Sequence, residues 1–358
     1  MRKLKVSKIW ILAFLLAAAL VGCGDTDKAG GPTSATTPPT VVSVIPAGAS
    51  TGICQGAVVS ATFSKAMNPA TIISPATTFK LAAGTTAVAG TVSMDSANLV
   101  ATFKPTNPLA LNTQYTATIT TGAQDQFGIG LAADFVWAFT TAALACPAPI
   151  PTGTACGFGI LAATPAVTNT GPTNVTGDIG IWPAAAITGF PPGTLTGTKH
   201  TADAVAQTAQ SDLTVAYNAA AGAPGGAALT ADIGGQTKPP GVYKATTTLG
   251  ITGDLTLDGK GDPNSAWIFQ VGSALTTAAG SPSAPASRVI LIGGAQAKNV
   301  IWQIGSSATL GTYSTLQGTI MAQASITLGT GATLNGRALA RTGAVTLDSN
   351  PVNVPPCP

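Results

Sequence analysis

Gly311-Thr312-Tyr313-Ser314-Thr315-Leu316-Gln317-Gly318 lies over Gly329-Thr330-Gly331-Ala332-Thr333-Leu334-Asn335-Gly336 under a shift of 18 residues, and this internal match decides the fold. The same shift carries Thr309-Leu310 onto Thr327-Leu328, and a further 19 residues reach Thr346-Leu347. Eighteen residues are too few for a propeller blade or a helical repeat. They suit one coil of a β-solenoid, with three short strands of about four residues and turns that glycine can make. Such a coil buries its apolar residues only by stacking on its neighbours, so the coils must form one continuous column.

Side chains alternate along a strand, and alternation assigns the sides of the column. Leu310, Leu328 and Leu347 point inward, which sets Thr309, Thr327 and Thr346 outward as one ladder. Leu316 and Leu334 point inward on the next side and leave Thr315 and Thr333 outside. On the third side Ile320 and Ala338 face in, while Met321 and Leu339 face out and need a cover. One segment can supply it. From Thr201 onward, Ala202, Val205, Ala206, Ala209, Leu213, Ala216, Tyr217 and Ala220 recur every three or four residues. Thr201 is placed to cap this amphipathic helix and Gly222 with Pro224 to end it. Asp203, Gln207, Gln210, Asp212 and Asn218 fall mostly on its other side.

The composition agrees with an all-β chain. Only 8% of the 358 residues are charged, against roughly 25% in ordinary globular domains. All 13 acids are Asp, and Glu, a helix former, is missing. Thr and Val favour sheet, while Gly and Pro mark turns. Upstream of the solenoid, short alternating runs recur at Val41-Val42-Ser43-Val44 and at 57–63, 91–93, 99–103, 115–120 and 135–140. Gly, Pro and Asn clusters separate them, as in a β-sandwich. The expected organisation is a leader at 1–22, a tether at 23–38, a sandwich at 39–141, a linker at 142–155 and the solenoid at 156–358.

The first residues set the compartment. Arg2, Lys3, Lys5 and Lys8 precede an apolar run from Ile9 to Ala19, which is too short to span a bilayer. Leu20-Val21-Gly22-Cys23 is similar to a bacterial lipobox, in which the cysteine is acylated and becomes the mature N-terminus. The expectation is an exported chain, lipid-anchored through Cys23 to the bacterial membrane, at the outer membrane or cell surface. Without the leader, 12 of the 16 Lys and Arg remain against 13 Asp, so no basic patch exists for nucleic acid. Cys54, Cys146, Cys156 and Cys357 are left for two disulfides, with three pairings open. Cys54–Cys146 with Cys156–Cys357 is preferred because each bridge then brackets one domain.

Catalytic chemistry finds little support. Glycoside hydrolysis needs two close carboxyl groups, and the acids here are few and scattered. Arg337 and Arg341 with Asp348 could suggest a lyase but read better as solvated turn residues. Residues 258–264 (Asp-Gly-Lys-Gly-Asp-Pro-Asn) look like a calcium loop without its closing Glu, so a plain turn is the better reading. His200, the single histidine, precedes the helix with no nucleophile in motif context and suits a capping or surface role. No metal, cofactor or enzyme activity is expected, and the chain is expected to be a monomer.

Two resemblances carry the reading further. Phe63-Ser64-Lys65-Ala66-Met67-Asn68, Pro108-Leu109-Ala110 with Tyr115, Asp125, Gly128 and Phe139-Thr140-Thr141 resemble the bacterial Ig-like domain of surface proteins, which implies a spacer or weak adhesion unit. The second domain resembles the microbial ice-binding-protein-like family. The stretches that match are 167–172, 175–180, Gly189-Phe190-Pro191-Pro192-Gly193, Pro240-Gly241-Val242-Tyr243, Trp267-Ile268-Phe269-Gln270, Trp302-Gln303-Ile304-Gly305 and 334–340. That resemblance implies a triangular, right-handed, discontinuous β-solenoid with one long helix along a side. It also implies that the first segment packs beside the final coils, which a Cys156–Cys357 bridge would suit. Thr330-Gly331-Ala332-Thr333 is similar to the Thr-Ala/Gly-x-Thr/Asn motif on ice-binding faces of some members, with Thr312 and Thr315 its counterparts one coil earlier.

The physical case for ice is separate. Coils stack about 4.8 Å apart and alternate residues on a strand lie about 6.7 Å apart, so outward threonines form a lattice of methyls and hydroxyls. Such a lattice can order water into an ice-like layer, and the lack of charge leaves that layer undisturbed. The candidate ice-contact residues are therefore Thr309, Thr327 and Thr346 on one side and Thr312, Thr315, Thr330 and Thr333 around the next. The competing reading takes Thr simply as a good β-former, and the chain as a surface adhesin or a matrix- or polysaccharide-binding protein.

Overall fold

A computed structural model describes residues 37–73, 78–284 and 287–357 of the chain. The expected leader and Cys23, the expected site of the lipid, lie outside the described residues.

The N-terminal domain is a sandwich of two four-stranded antiparallel sheets. One orders its strands as Val41–Ile45, Val59–Phe63, Val100–Pro105 and Gly90–Met94; the other as Thr86–Ala87, Phe79–Ala83, Gln114–Ile119 and Phe135–Thr140. Phe63, Phe79, Phe103, Tyr115, Trp137 and Phe139 fill the space between them. The hairpin Phe79–Ala83 with Thr86–Ala87 escapes a reading of alternation, because only Phe79 and Leu81 mark its inner face among small residues. Cys54 and Cys146 are bonded across this domain.

The second domain is a column of parallel strands with three sides. Inward residues of all three converge on one core, in which Tyr243, Phe269 and Trp302 stack with ring centroids 5.3 and 4.1 Å apart. Ile320 and Ala338 continue the same inward file on the following coils. The column is discontinuous in sequence. Phe158–Ala162, Ala166–Asn169 and Asn174–Thr176 stack on the coil formed by Thr333–Ala340, Val345–Leu347 and Pro351–Asn353, which is the last in the chain. Cys156 is bonded to Cys357 where those two segments meet.

The helix Ala204–Ala221 carries the chain back along the column. Its 18 residues give about 27 Å of length, or five to six coil spacings. Ala209, Leu213, Ala216, Tyr217 and Ala220 pack on Leu161, Ile268, Ile301, Met321 and Leu339, so the outward Met and Leu are covered as alternation requires. Three side chains lock its register. Gln210 Nε2 donates to the carbonyls of Ala162 and Ala340, the Tyr217 hydroxyl donates to Ile304 O, and Gln270 Nε2 donates to Ala220 O and Ala223 O at the helix C-terminus.

Several expectations are corrected here. The helix is capped by Asp203, whose Oδ1 accepts the Ala206 N–H at 2.8 Å, and not by Thr201, which pairs with Ile181 in a strand. Ala202 is therefore outside the helix, with a φ of 52°, and Val205 is 47% exposed. Gln210, expected on the solvent side, is buried because the carbonyls of two coils need its donors. Arg337 is no solvated turn. It is 1% exposed on the helix side and donates through Nε to Cys156 O at 2.7 Å and through Nη2 to Pro355 O at 2.6 Å. Burial lowers its pKa to about 10. It ties the entry of the solenoid to its exit, beside the Cys156–Cys357 bridge.

Candidate functional site

One side of the column is a seven-stranded parallel sheet. Its spatial order is Ala186–Thr188, Ala166–Asn169, Val345–Leu347, Ile326–Leu328, Ala308–Leu310, Leu275–Thr277 and Leu249–Ile251. None of these strands holds a charged residue. On each, inward residues alternate with outward ones, and one outward position is shared by all seven.

That outward position repeats with no shift of register. Thr188 pairs with Thr168, Thr168 with Thr346, Thr346 with Thr327, Thr327 with Thr309 and Thr309 with Thr276, and Gly250 closes the row. Six threonines thus stand in file over about 24 Å, at the spacing of parallel strands. The buried leucines Leu347, Leu328 and Leu310 beneath them are fixed by the core. The β-branched threonine side chains have few rotamers, so hydroxyl and methyl positions repeat from coil to coil. The row before them is small. Ala186 and Ala166 pair in register, and Ala344, Ser325, Ser307 and Ala274 occupy the same place on later coils, where their carbonyls accept the inter-coil hydrogen bonds. Nothing long rises above the threonines.

Thr309, Thr327 and Thr346 therefore lie in the middle of a ladder twice as long as the 18-residue match reveals. Thr168, Thr188 and Thr276 were not found by that match. Each has a legible signal, an apolar residue just before a Thr in a short β-run: Val167-Thr168, Ile187-Thr188 and Leu275-Thr276. The loops between their coils vary in length, and the helix interrupts the count.

Thr315 and Thr333 do pair on the adjoining side, but their ladder stops there. Arg288 stands next to Thr315 in register and forms an ion pair of 2.6 Å with Asp254 on the coil before it. On the other flank Leu334 pairs with Val352, which puts Pro351 beside Thr333. Two threonines between an ion pair and a proline make no lattice. Thr312 and Thr330 occupy the corner between the two sides and not a strand. Thr312 Oγ1 donates to Gly280 O at 3.1 Å and Thr330 Oγ1 to Asp348 Oδ2 at 2.6 Å.

The remaining candidates are dispersed. Asp348 is at that corner, Arg337 is under the helix side, and Arg341 lies over the Tyr217 ring at 4.4 Å and donates to Gln323 Oε1. In the loop at 258–264 the Lys260 ammonium sits 2.9 Å from Asp258, a cation already in place. Among the described residues no three His, Cys, Asp or Glu side chains gather as metal ligands would. His200 sits between the helix cap and the strand Asp178–Ile181, with Nδ1 2.9 Å from Asp203 Oδ2 and Nε2 4.0 Å from Asp178 Oδ2.

Comparison with known proteins places both domains. Residues 160–353 match the family model described as "Ice-binding-like", and residues 35–141 match the one described as "Bacterial Ig-like domain". A protein named "Ice-binding protein" from Nostoc sp. (strain HG1) is 45% identical over 203 residues, covering 56% of this chain and 72% of its own length. One with the same name from Flavobacterium frigoris (strain PS1) is 39% identical over 221 residues, 57% of this chain and 75% of its own. Among solved structures, an ice binding protein from an Antarctic biological consortium superimposes with a TM-score of 0.55 at 47% identity, covering 58% of this chain and 92% of its own.

Proposed function

The chain belongs to the ice-binding-like family, and from that premise we propose that it binds the surface of ice through its seven-stranded threonine sheet. The observation that carries this reading is the unbroken register of Thr188, Thr168, Thr346, Thr327, Thr309 and Thr276 on an uncharged wall. A stacked face twists less than an ordinary sheet, so the hydroxyls and methyls form a near-planar lattice. Water held over methyls and anchored by hydroxyls is already ordered before the crystal is met, which lessens the entropy lost on contact. Binding is the whole mechanism, and no bond is made or broken.

The disulfides suit an exported chain. With the lipid on Cys23, the Ig-like domain serves as a spacer that holds the threonine sheet away from the cell. Inhibition of ice growth and attachment of the cell to ice are both open to such an arrangement.

Thermal hysteresis and ice recrystallisation assays on the purified chain test the proposal. Thr309→Tyr with Thr327→Tyr should abolish both activities and leave the fold intact, because two rings would stand above the lattice. Thr315→Tyr with Thr333→Tyr should leave both unchanged. Loss in the second pair but not the first would move the site to the adjoining side. Folded wild-type protein inactive in both assays, yet bound to a glycan array, would favour the adhesin.

A further inference from the structure

The threonine sheet ends at a corner that carries a single acid. Asp348 follows Thr346 and Leu347, so alternation turns it toward the same side as Thr346, where it is half-buried. Thr330, on the preceding coil, donates its hydroxyl to Asp348 Oδ2 at 2.6 Å, and Ser349 donates to Oδ1 at 3.0 Å. Thr170, on the following coil, stands beside Asp348 because Asn169 pairs with Leu347, and its hydroxyl donates to Leu347 O at 3.5 Å. The hydroxyls of Thr330 and Ser349 foremost hold the carboxyl below the usual range. No cation pairs with Asp348 among the described residues. One coil before Thr330, the Thr312 proton is committed as well, to Gly280 O.

We propose that Asp348 is a positioning residue for ice contact, which turns the protons of Thr330 and Ser349 inward so that this edge offers water only oxygen lone pairs. The proposal rests on the ice-binding reading above. A free hydroxyl rotates and either donates or accepts, and its neighbouring waters change orientation with it. An ionised carboxylate accepts only, and hydrogen bonds to it are short and about twice as strong as neutral ones. Two coils thereby acquire one fixed polarity, continuous with Thr170 and Thr312 on the coils to either side, whose protons are committed to backbone carbonyls. The charge is met by hydroxyls of the protein in place of a disordered shell of water. An acid at the margin of an uncharged face is thus part of the lattice and no flaw in it.

Asp348→Asn tests this with almost no change of shape. A carboxamide keeps one acceptor oxygen and presents two N–H donors in place of the other, so one of the two hydroxyls must turn its proton away. Thermal hysteresis should fall about twofold while the unfolding temperature stays put, in line with the lost charge assistance. Wild-type hysteresis should fall in the same way between neutral pH and about pH 3, where the carboxyl protonates, and the variant should be flat over that range. Should Asp348→Asn unfold early, Thr330→Val, which removes one oriented hydroxyl and leaves the carboxylate, should show the same loss. Unchanged or increased hysteresis in Asp348→Asn, with an active wild type, overturns this proposal alone. Wild type inactive at every pH overturns it together with the ice-binding reading.

Discussion

Thr168 stands in register beside Thr346, although the helix and most of the coils separate them in sequence. The ladder is therefore stitched across the break in the solenoid, and its two halves depend on the docking of the first segment onto the last coil. Thr168→Tyr should abolish thermal hysteresis as fully as a tyrosine at Thr327 does. Circular dichroism should be unchanged, since the position is on the outside of its strand. Full activity in this variant would confine ice contact to the sequential coils.

The same docking is held from the helix side by Gln210, which is buried and spans from Ala162 O to Ala340 O. Gln210→Ala leaves Ala340 O without this donor, while Ala162 O keeps the backbone N–H of Trp182. The cost of such an orphaned group is about 1–3 kcal/mol, so the urea midpoint should drop. Hydrogen exchange would sharpen the result. Amides of Phe158–Ala162 should lose protection first, ahead of those in Trp267–Val271.

Asp262 gives a pH signature. Burial raises its carboxyl above the ordinary range, only partly offset by the N–H of Asn264. A folded pKa above the unfolded one means that the folded state holds its proton longer. The stabilising effect is then present below the unfolded pKa and lost as pH rises through the folded one. Asp262→Asn keeps the acceptor for Asn264 and removes the charge, so it should raise the unfolding temperature at neutral pH and lose that advantage on acidification. An equal shift at both pH values would show that burial of charge at Asp262 is not the cause.

Parts of this architecture are plain from the residues alone. The near-equal spacing of Thr309, Thr327 and Thr346, 18 and then 19 residues, exposes the coil, because those coils differ by a single inserted residue. Met321 and Leu339 announce a lid, since an outward apolar pair on a strand has to be covered. The helix cap was misplaced for a local reason: Thr201 and Asp203 are both competent caps, and strand pairing of Thr201 with Ile181 removes one of them. Arg337 was misread because a guanidinium is seldom buried, and its two carbonyl partners come from distant segments.

Period and alternation, written into every coil, settle that the chain stacks and which side chain of each strand faces out. They do so because apolar burial at each coil is a local demand. Which outward residues share a file is another matter. Thr188, Thr168 and Thr276 join the ladder only once strands from separate segments have stacked and their backbone hydrogen bonds have set the register. Lateral register is a property of the assembled column, where one step of slippage would turn every leucine outward.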